Sequence, residues 1–297
     1  MLKKTLLIEN KSSIISKNLQ LVIKSETREG TVPIEEIGFI ILDHPEIYIS
    51  MPAMNLLIEN NSAVIICNRN HLPNGQFLNL NSHHIQQEIF KNQIEASLPL
   101  KKQLWQQTII EKITNQGILL QKITGQKNTL DFLASKVLSG DSSNMEGLAA
   151  SQYWKSFFET TDIAFKRERF GDYPNNFLNY GYAILRAATA RALSGSGLLN
   201  TLGIHHKSKY NAFALADDIM EPFRPLVDEK VFEIIKQYEE QDLNTKIKAD
   251  LLQILTRTVY FEDEKSPLMV ALQKTASSLQ QCYTGERKKI KYPKLWT

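Results

Sequence analysis

With 297 residues, 42% of them hydrophobic and 23% charged, the chain has the make-up of an ordinary globular protein and is long enough for two domains that each bury a core. No run approaches the roughly 20 apolar residues that cross a bilayer, the N-terminus lacks the apolar segment and cleavage site of a secretory signal, and Cys67 and Cys282 lie too far apart in sequence to support a disulfide framework or a thiolate zinc site. The reading is a cytoplasmic protein with no membrane role, whose formal charge of +3 is too mild to argue for nucleic acid by itself.

The first 84 residues read as a β-sheet domain. Thr5–Ile8, Leu19–Ile23, Ile37–Leu42 and Ala63–Cys67 are short, β-branched-rich runs, and Arg28-Glu29-Gly30, Asp43-His44-Pro45 and Pro73-Asn74-Gly75 are turn signals. Within Ser50–Asn60, the apolar residues Met51, Met54, Leu57 and Ile58 have helical spacing. From Ile85 the period changes to three and four residues, as in Ile85, Ile89 and Phe90, then Leu104, Trp105, Ile109 and Ile113. Ser97-Leu98-Pro99 marks a break, so 84–99 is the predicted connector. The fold class is therefore α+β, with an N-terminal β-domain over 1–84 and a larger α-helical domain over 85–297.

Three segments of the helical part could carry chemistry. In the stretch from Gly140 to Phe158, Ser143 or Asn144 is a predicted N-cap. Glu146 then shares a stripe with Ala149, Ala150, Tyr153 and Phe157. A carboxylate on a face built for burial needs a cation or a metal, because an unpaired buried charge costs several kcal/mol. The second segment is Leu202-Gly203-Ile204-His205-His206; adjacent histidines cannot both face one site on regular structure. In the third, Asp217 to Pro225, Asp218 and Glu221 share a face if the stretch is helical, and Pro222 requires the helix to begin close to Asp217. One imidazole and two carboxylates would make a hard N/O site for Mg²⁺ or Mn²⁺, an ion type suited to phosphodiester chemistry.

Four stretches carry a resemblance: Ser139-Gly140-Asp141 through Glu146 to Trp154; Asn175 to Tyr182 with Leu185-Arg186; Leu202 to His206; and Asn211 through Asp218 and Glu221 to Pro225. In order and spacing the sequence resembles the universal integrase subunit of CRISPR adaptation, particularly the shorter form associated with type II systems. Val32-Pro33-Ile34-Glu35-Glu36-Ile37 extends the likeness into the β-domain. The resemblance implies catalytic metal ligands at Glu146, His206 and Glu221, with His205 and Asp218 as auxiliary positions and no organic cofactor. Many members carry aspartate where this chain has Glu221.

The resemblance further implies a homodimer formed through the β-domain and a small ferredoxin-like adaptation partner, with the RNA-guided effector nuclease as a further partner. Its substrates would be double-stranded protospacer DNA and the CRISPR repeat, whose borders receive DNA 3′-OH ends by transesterification. Lys207, Lys209 and Arg224, then Arg167 and Arg169, are the predicted DNA contacts, and the basic tail Arg287–Lys294 lies in the same helical part. The alternatives are a metal-dependent repair nuclease and a non-catalytic DNA-binding scaffold.

Overall fold

The computed structural model describes residues 3–79, 81, 83–168 and 171–296. The chain divides into two compact units, Met1–His84 and Ile85–Thr297.

In the first unit, β1 (Lys4–Ile8), β2 (Ser12–Lys17), β3 (Gln20–Ser25), β4 (Glu29–Pro33), β5 (Ile37–Leu42) and β6 (Ile47–Ile49) precede α1 (Met51–Glu59), which is followed by β7 (Ala63–Cys67) and β8 (Pro73–Phe77). They form two four-stranded sheets, ordered β1-β5-β7-β8 and β4-β3-β2-β6. β1, β5 and β7 run parallel, and every residue of β5 is buried. A strand covered on both faces reads as the continuous apolar run seen at Ile37–Leu42. Ser50 caps α1, accepting from Ala53 N, and Ala53, Met54 and Leu57 join Ile14, Leu21, Ile40 and Val64 in one core. Pro73-Asn74-Gly75, predicted as a turn, lies within β8, the antiparallel edge strand beside β7. The turn falls earlier, at Asn68–Leu72, where the Asn68 side chain accepts from Asn70 N and Leu72 N.

The second unit contains α2 (Gln86–Glu95), α3 (Leu98–Thr124), α4 (Leu130–Ser135), α5 (Met145–Phe158), α6 (Asn175–Gly195), α7 (Ala214–Met220), α8 (Arg224–Gln237), α9 (Thr245–Leu252), a hairpin of β9 (Thr258–Phe261) and β10 (Glu264–Pro267), and α10 (Leu268–Thr284). The predicted connector is mostly helix. Ser97 caps α3 and Pro99 sits in its first turn, where the missing N–H costs no hydrogen bond, so this proline starts a helix instead of breaking one. At 27 residues α3 is about 40 Å long and packs against α4, α5, α7 and α8. α6 packs against α7, α8, α9 and α10, and a Cβ at Gly181 would collide with Val227 of α8. The basic tail is pinned to this unit: Lys294 pairs with Asp263 at 2.9 Å, Lys291 with Glu262, and Ile290 N donates to Gln107 Oε1 at 2.9 Å.

Candidate functional site

Four segments of the helical unit converge. α3 contributes Lys112, α5 contributes Glu146, the loop after α6 contributes His205 and His206, and the α7–α8 junction contributes Asp218, Glu221 and Arg224. The junction is tighter than one helix. α7 starts at Ala214, not near Asp217, and a 3₁₀ turn over Glu221–Phe223 places Pro222 between two helices before Pro225 opens the second. The 3₁₀ step spares Pro222 a mid-helix position. Asp218 in α7 and Glu221 in this turn are only 0% and 4% exposed.

Glu146 is only partly buried, its side chain 28% exposed, and it pairs with a cation. Lys112 Nζ lies 2.6 Å from Glu146 Oε1 and 2.6 Å from Glu221 Oε2, so one ammonium bridges both carboxylates. Arg224 Nη2 lies 2.9 Å from the other oxygen, Glu221 Oε1. Burial alone would raise the Glu221 carboxyl, but Arg224 and Lys112 outweigh it and hold the carboxyl below its ordinary range. Burial pulls the Lys112 ammonium down, and Glu221 and Glu146 more than reverse that. Glu146 stands at the first turn of α5, whose free N–H groups are capped by Asp141: Oδ1 accepts from Met145 N at 2.9 Å and Oδ2 from Glu146 N at 3.1 Å. Asn144 holds the N-cap position in left-handed backbone but makes no side-chain cap, and Ser143 does not occupy it.

Asp218 anchors the histidine loop. Its Oδ2 accepts from Ile204 N at 2.5 Å and His205 N at 3.0 Å, and its Oδ1 from His206 N at 3.2 Å. His206 Nδ1 lies 2.5 Å from the same Oδ1. This contact commits Nδ1 as the donor and leaves Nε2 as the nitrogen able to bind a ligand. The hydrogen bond raises the His206 imidazole above its ordinary value, against burial. The loop can approach Asp218 so closely because Gly203 has no side chain: a Cβ there would stand 2.5 Å from His206 O and 2.8 Å from Asp218 Oδ2. His205 takes a different role, its ring stacked on buried Trp105 with centroids 4.2 Å apart and planes 2° from parallel. Trp105 meets His206 edge-on at 5.9 Å.

The two glutamates are hard oxygen donors, the ligand type a divalent cation such as Mg²⁺ or Mn²⁺ takes. Two carboxylates already converge on a single positive centre, and Glu221 Oε2 is buried with no aligned hydrogen bond. The imidazole of His206, oriented by Asp218, interacts electrostatically with Glu221. Among the described residues no three His, Cys, Asp or Glu side chains are grouped to hold a metal by themselves; the cation between Glu146 and Glu221 is Lys112.

Of the predicted DNA contacts, Lys207 and Lys209 are exposed and line an open pocket of about 700 Å³ together with His206, Lys101 and Tyr210. Arg224 is instead engaged by Glu221 and lies over the Tyr182 ring. The Arg167 guanidinium donates to Asn175 Oδ1 at 2.9 Å and Asn179 Oδ1 at 2.7 Å. Arg169 lies outside the described residues. Sequence reasoning missed Lys112, although it shares the 3.6-residue stripe of Trp105, Ile109 and Ile113 and is therefore a lysine on an apolar face. It also missed buried Asp228, which accepts hydrogen bonds from Tyr153 and Tyr182.

Fold and site together define a two-unit protein whose helical unit carries a carboxylate–imidazole cluster beside a basic pocket. A family model for the CRISPR associated protein Cas1 matches residues 6–263. The chain is 36% identical over 301 residues to the CRISPR-associated endonuclease Cas1 of Neisseria meningitidis serogroup C, covering 98% of this chain and 96% of that one. Among solved structures it is similar to a casposase bound to integration product, with a TM-score of 0.79 at 22% identity over 97% of this chain and 92% of that one. It is also similar to a chain of a Cas6-RT-Cas1–Cas2 complex, with a TM-score of 0.73 at 21% identity over 99% of this chain and 36% of that one. The chain belongs to the Cas1 family of CRISPR associated proteins.

Proposed function

We propose that this protein is a metal-dependent DNA integrase and endonuclease of CRISPR adaptation, which joins protospacer 3′-OH ends to repeat borders by transesterification. The observation that carries this reading is the convergence of Glu146 and Glu221 on one cation within the cluster that holds the Asp218-oriented His206. A relative named as an endonuclease and a similar structure bound to an integration product support it.

Glu146, Glu221 and His206 Nε2 would hold Mg²⁺ or Mn²⁺. When bound, such an ion lowers the pKa of an attacking hydroxyl or water and offsets charge on the phosphate. Asp218 fixes the imidazole tautomer and orientation, and Arg224 holds the Glu221 carboxylate in place. Lys101, Lys207 and Lys209 around the adjoining pocket supply cations for the DNA backbone, contacts that position without reading sequence. Hydrolytic nicking uses the same groups with water as nucleophile.

The same reading assigns the β-domain to homodimer formation in the cytoplasm and double-stranded DNA as substrate. It also assigns a small ferredoxin-like partner, an assignment supported by the likeness to a chain of a complex containing Cas2, and the RNA-guided effector as a further contact.

The test follows a labelled 3′-OH oligonucleotide into a supercoiled plasmid carrying a repeat, with Mn²⁺, beside the Glu146→Ala variant. Joining by the wild type and its loss in the variant are expected. Nicking without joining, with the partner protein present, would favour a repair nuclease; joining that survives in Glu146→Ala would overturn the metal site.

A further inference from the structure

The lysine between the two glutamates calls for its own explanation. Lys112 Nζ, with three N–H donors, stands 2.6 Å from Glu146 Oε1 and 2.6 Å from Glu221 Oε2, so one ammonium neutralises two carboxylates at once. The two glutamates come from different parts of the chain, one from the first turn of α5 and one from the turn joining α7 to α8. Lys112 reaches them from α3 with its side chain only 11% exposed. Glu221 already has Arg224 on its other oxygen, and Asn115, one turn along α3 from Lys112, donates to Pro222 O at 2.9 Å and so ties α3 to the same turn.

Without Lys112 the facing carboxylates would be left with Arg224 and the His206 imidazole, both acting on Glu221. Like charges this close repel in a partly buried site, and the glutamates would separate. The ammonium therefore does for the metal-free protein what a divalent ion would do in the loaded one: it keeps two hard oxygen donors at the spacing of a shared cation.

We propose that Lys112 is a built-in placeholder for the catalytic metal, holding Glu146 and Glu221 in ligand geometry until the ion binds and then giving up at least one of them. It is a positioning residue. The proposal rests on the metal-site reading above and adds a property of this lysine: it competes with the ion for the same oxygens. Removing the ammonium while keeping the stem should thus make the metal-free protein less stable and the metal site tighter.

The experiment compares the full-length wild type with Lys112→Met. Mn²⁺ binding is followed by the electron paramagnetic resonance signal of the free ion, and thermal melts are run in EDTA and in saturating Mn²⁺. Competition between the ammonium and the ion predicts that the variant binds Mn²⁺ about tenfold more tightly, one charge at contact distance being worth roughly that factor. The variant should also melt lower in EDTA and gain about 5 °C more than the wild type from Mn²⁺. If it does not fold in EDTA, refolding it with Mn²⁺ decides: recovery supports the placeholder, and failure in both media overturns it. Equal or weaker Mn²⁺ binding by the variant, with the same loss of melting temperature in both media, would make Lys112 an ordinary structural lysine and leave the metal site standing. No Mn²⁺ binding by the wild type would remove both.

Discussion

Replacing Asp218 by asparagine tests how the histidine loop is held. The carboxylate is fully buried and accepts from three consecutive backbone N–H groups as well as lying 2.5 Å from His206 Nδ1. Asparagine keeps one oxygen and puts an NH₂ where the other stood, so an N–H donor faces a donor in a site closed to water. Hydrogen bonds to a charged group are worth about 1.5–3 kcal/mol each, and stranding one buried donor costs about 1–3 kcal/mol. Even after relaxation the loss should be about 3–5 kcal/mol. At about 2–4 °C per kcal/mol for a unit of this size, the melting temperature should fall by about 10 °C. Differential scanning calorimetry reads this directly. DNA nicking measured below the new transition should drop about 10- to 100-fold, as when a group that orients a metal-binding histidine is lost. A melting temperature within about 2 °C of wild type, with nicking intact, would refute the claim that Asp218 anchors this loop.

Further outcomes follow from the same structure. Burial raises the Asp228 carboxyl to about 6, against the hydrogen bonds from Tyr182 and Tyr153. With the folded value above the unfolded one, this group's stabilising contribution is full below about pH 4 and fades as pH rises through about 6, by about 3 kcal/mol in total. Asp228→Asn should flatten that portion of the melting-temperature profile, and an unchanged profile would contradict it. Glu229 binds Arg257 at 2.6 Å, Lys122 at 2.6 Å and Trp296 Nε1 at 2.9 Å. Since Lys122 can return to water, Glu229→Ala should cost about 1–3 kcal/mol. It should also release Trp296, read as a shift in tryptophan emission and faster proteolysis of the tail. Gly181→Ala should push α6 from α8 and destabilise by about 1–3 kcal/mol in denaturant melts, as overpacking does.

The sequence made the broad architecture legible because periodicity reports burial. The continuous apolar run of β5 and the 3.6-residue stripe of α3 are direct consequences of what each element packs against. β2, β6 and the β9–β10 hairpin were not read, since β2 carries only two apolar residues among Ser12, Ser13, Ser16 and Lys17, β6 is three residues long, and β10 opens on Glu264 and Lys265. In the candidate site, Glu146 was legible from its helix face, and the structure supplies the cation that face requires. Asp218 and Glu221 could not be told from a solvated pair, because their burial comes from the packing of α7 and the following turn against α3, a tertiary contact. The difference between His205 and His206 likewise became visible only once Trp105 had taken one ring and Asp218 the other.

The most direct test of the central claim is a crystal structure of the protein grown with Mn²⁺ and DNA, with anomalous data collected at the manganese edge. One anomalous peak is expected, coordinated by Glu146, Glu221 and His206 Nε2, with Asp218 still on Nδ1. A peak bound elsewhere, or none while Lys112 remains between the two glutamates, would contradict it.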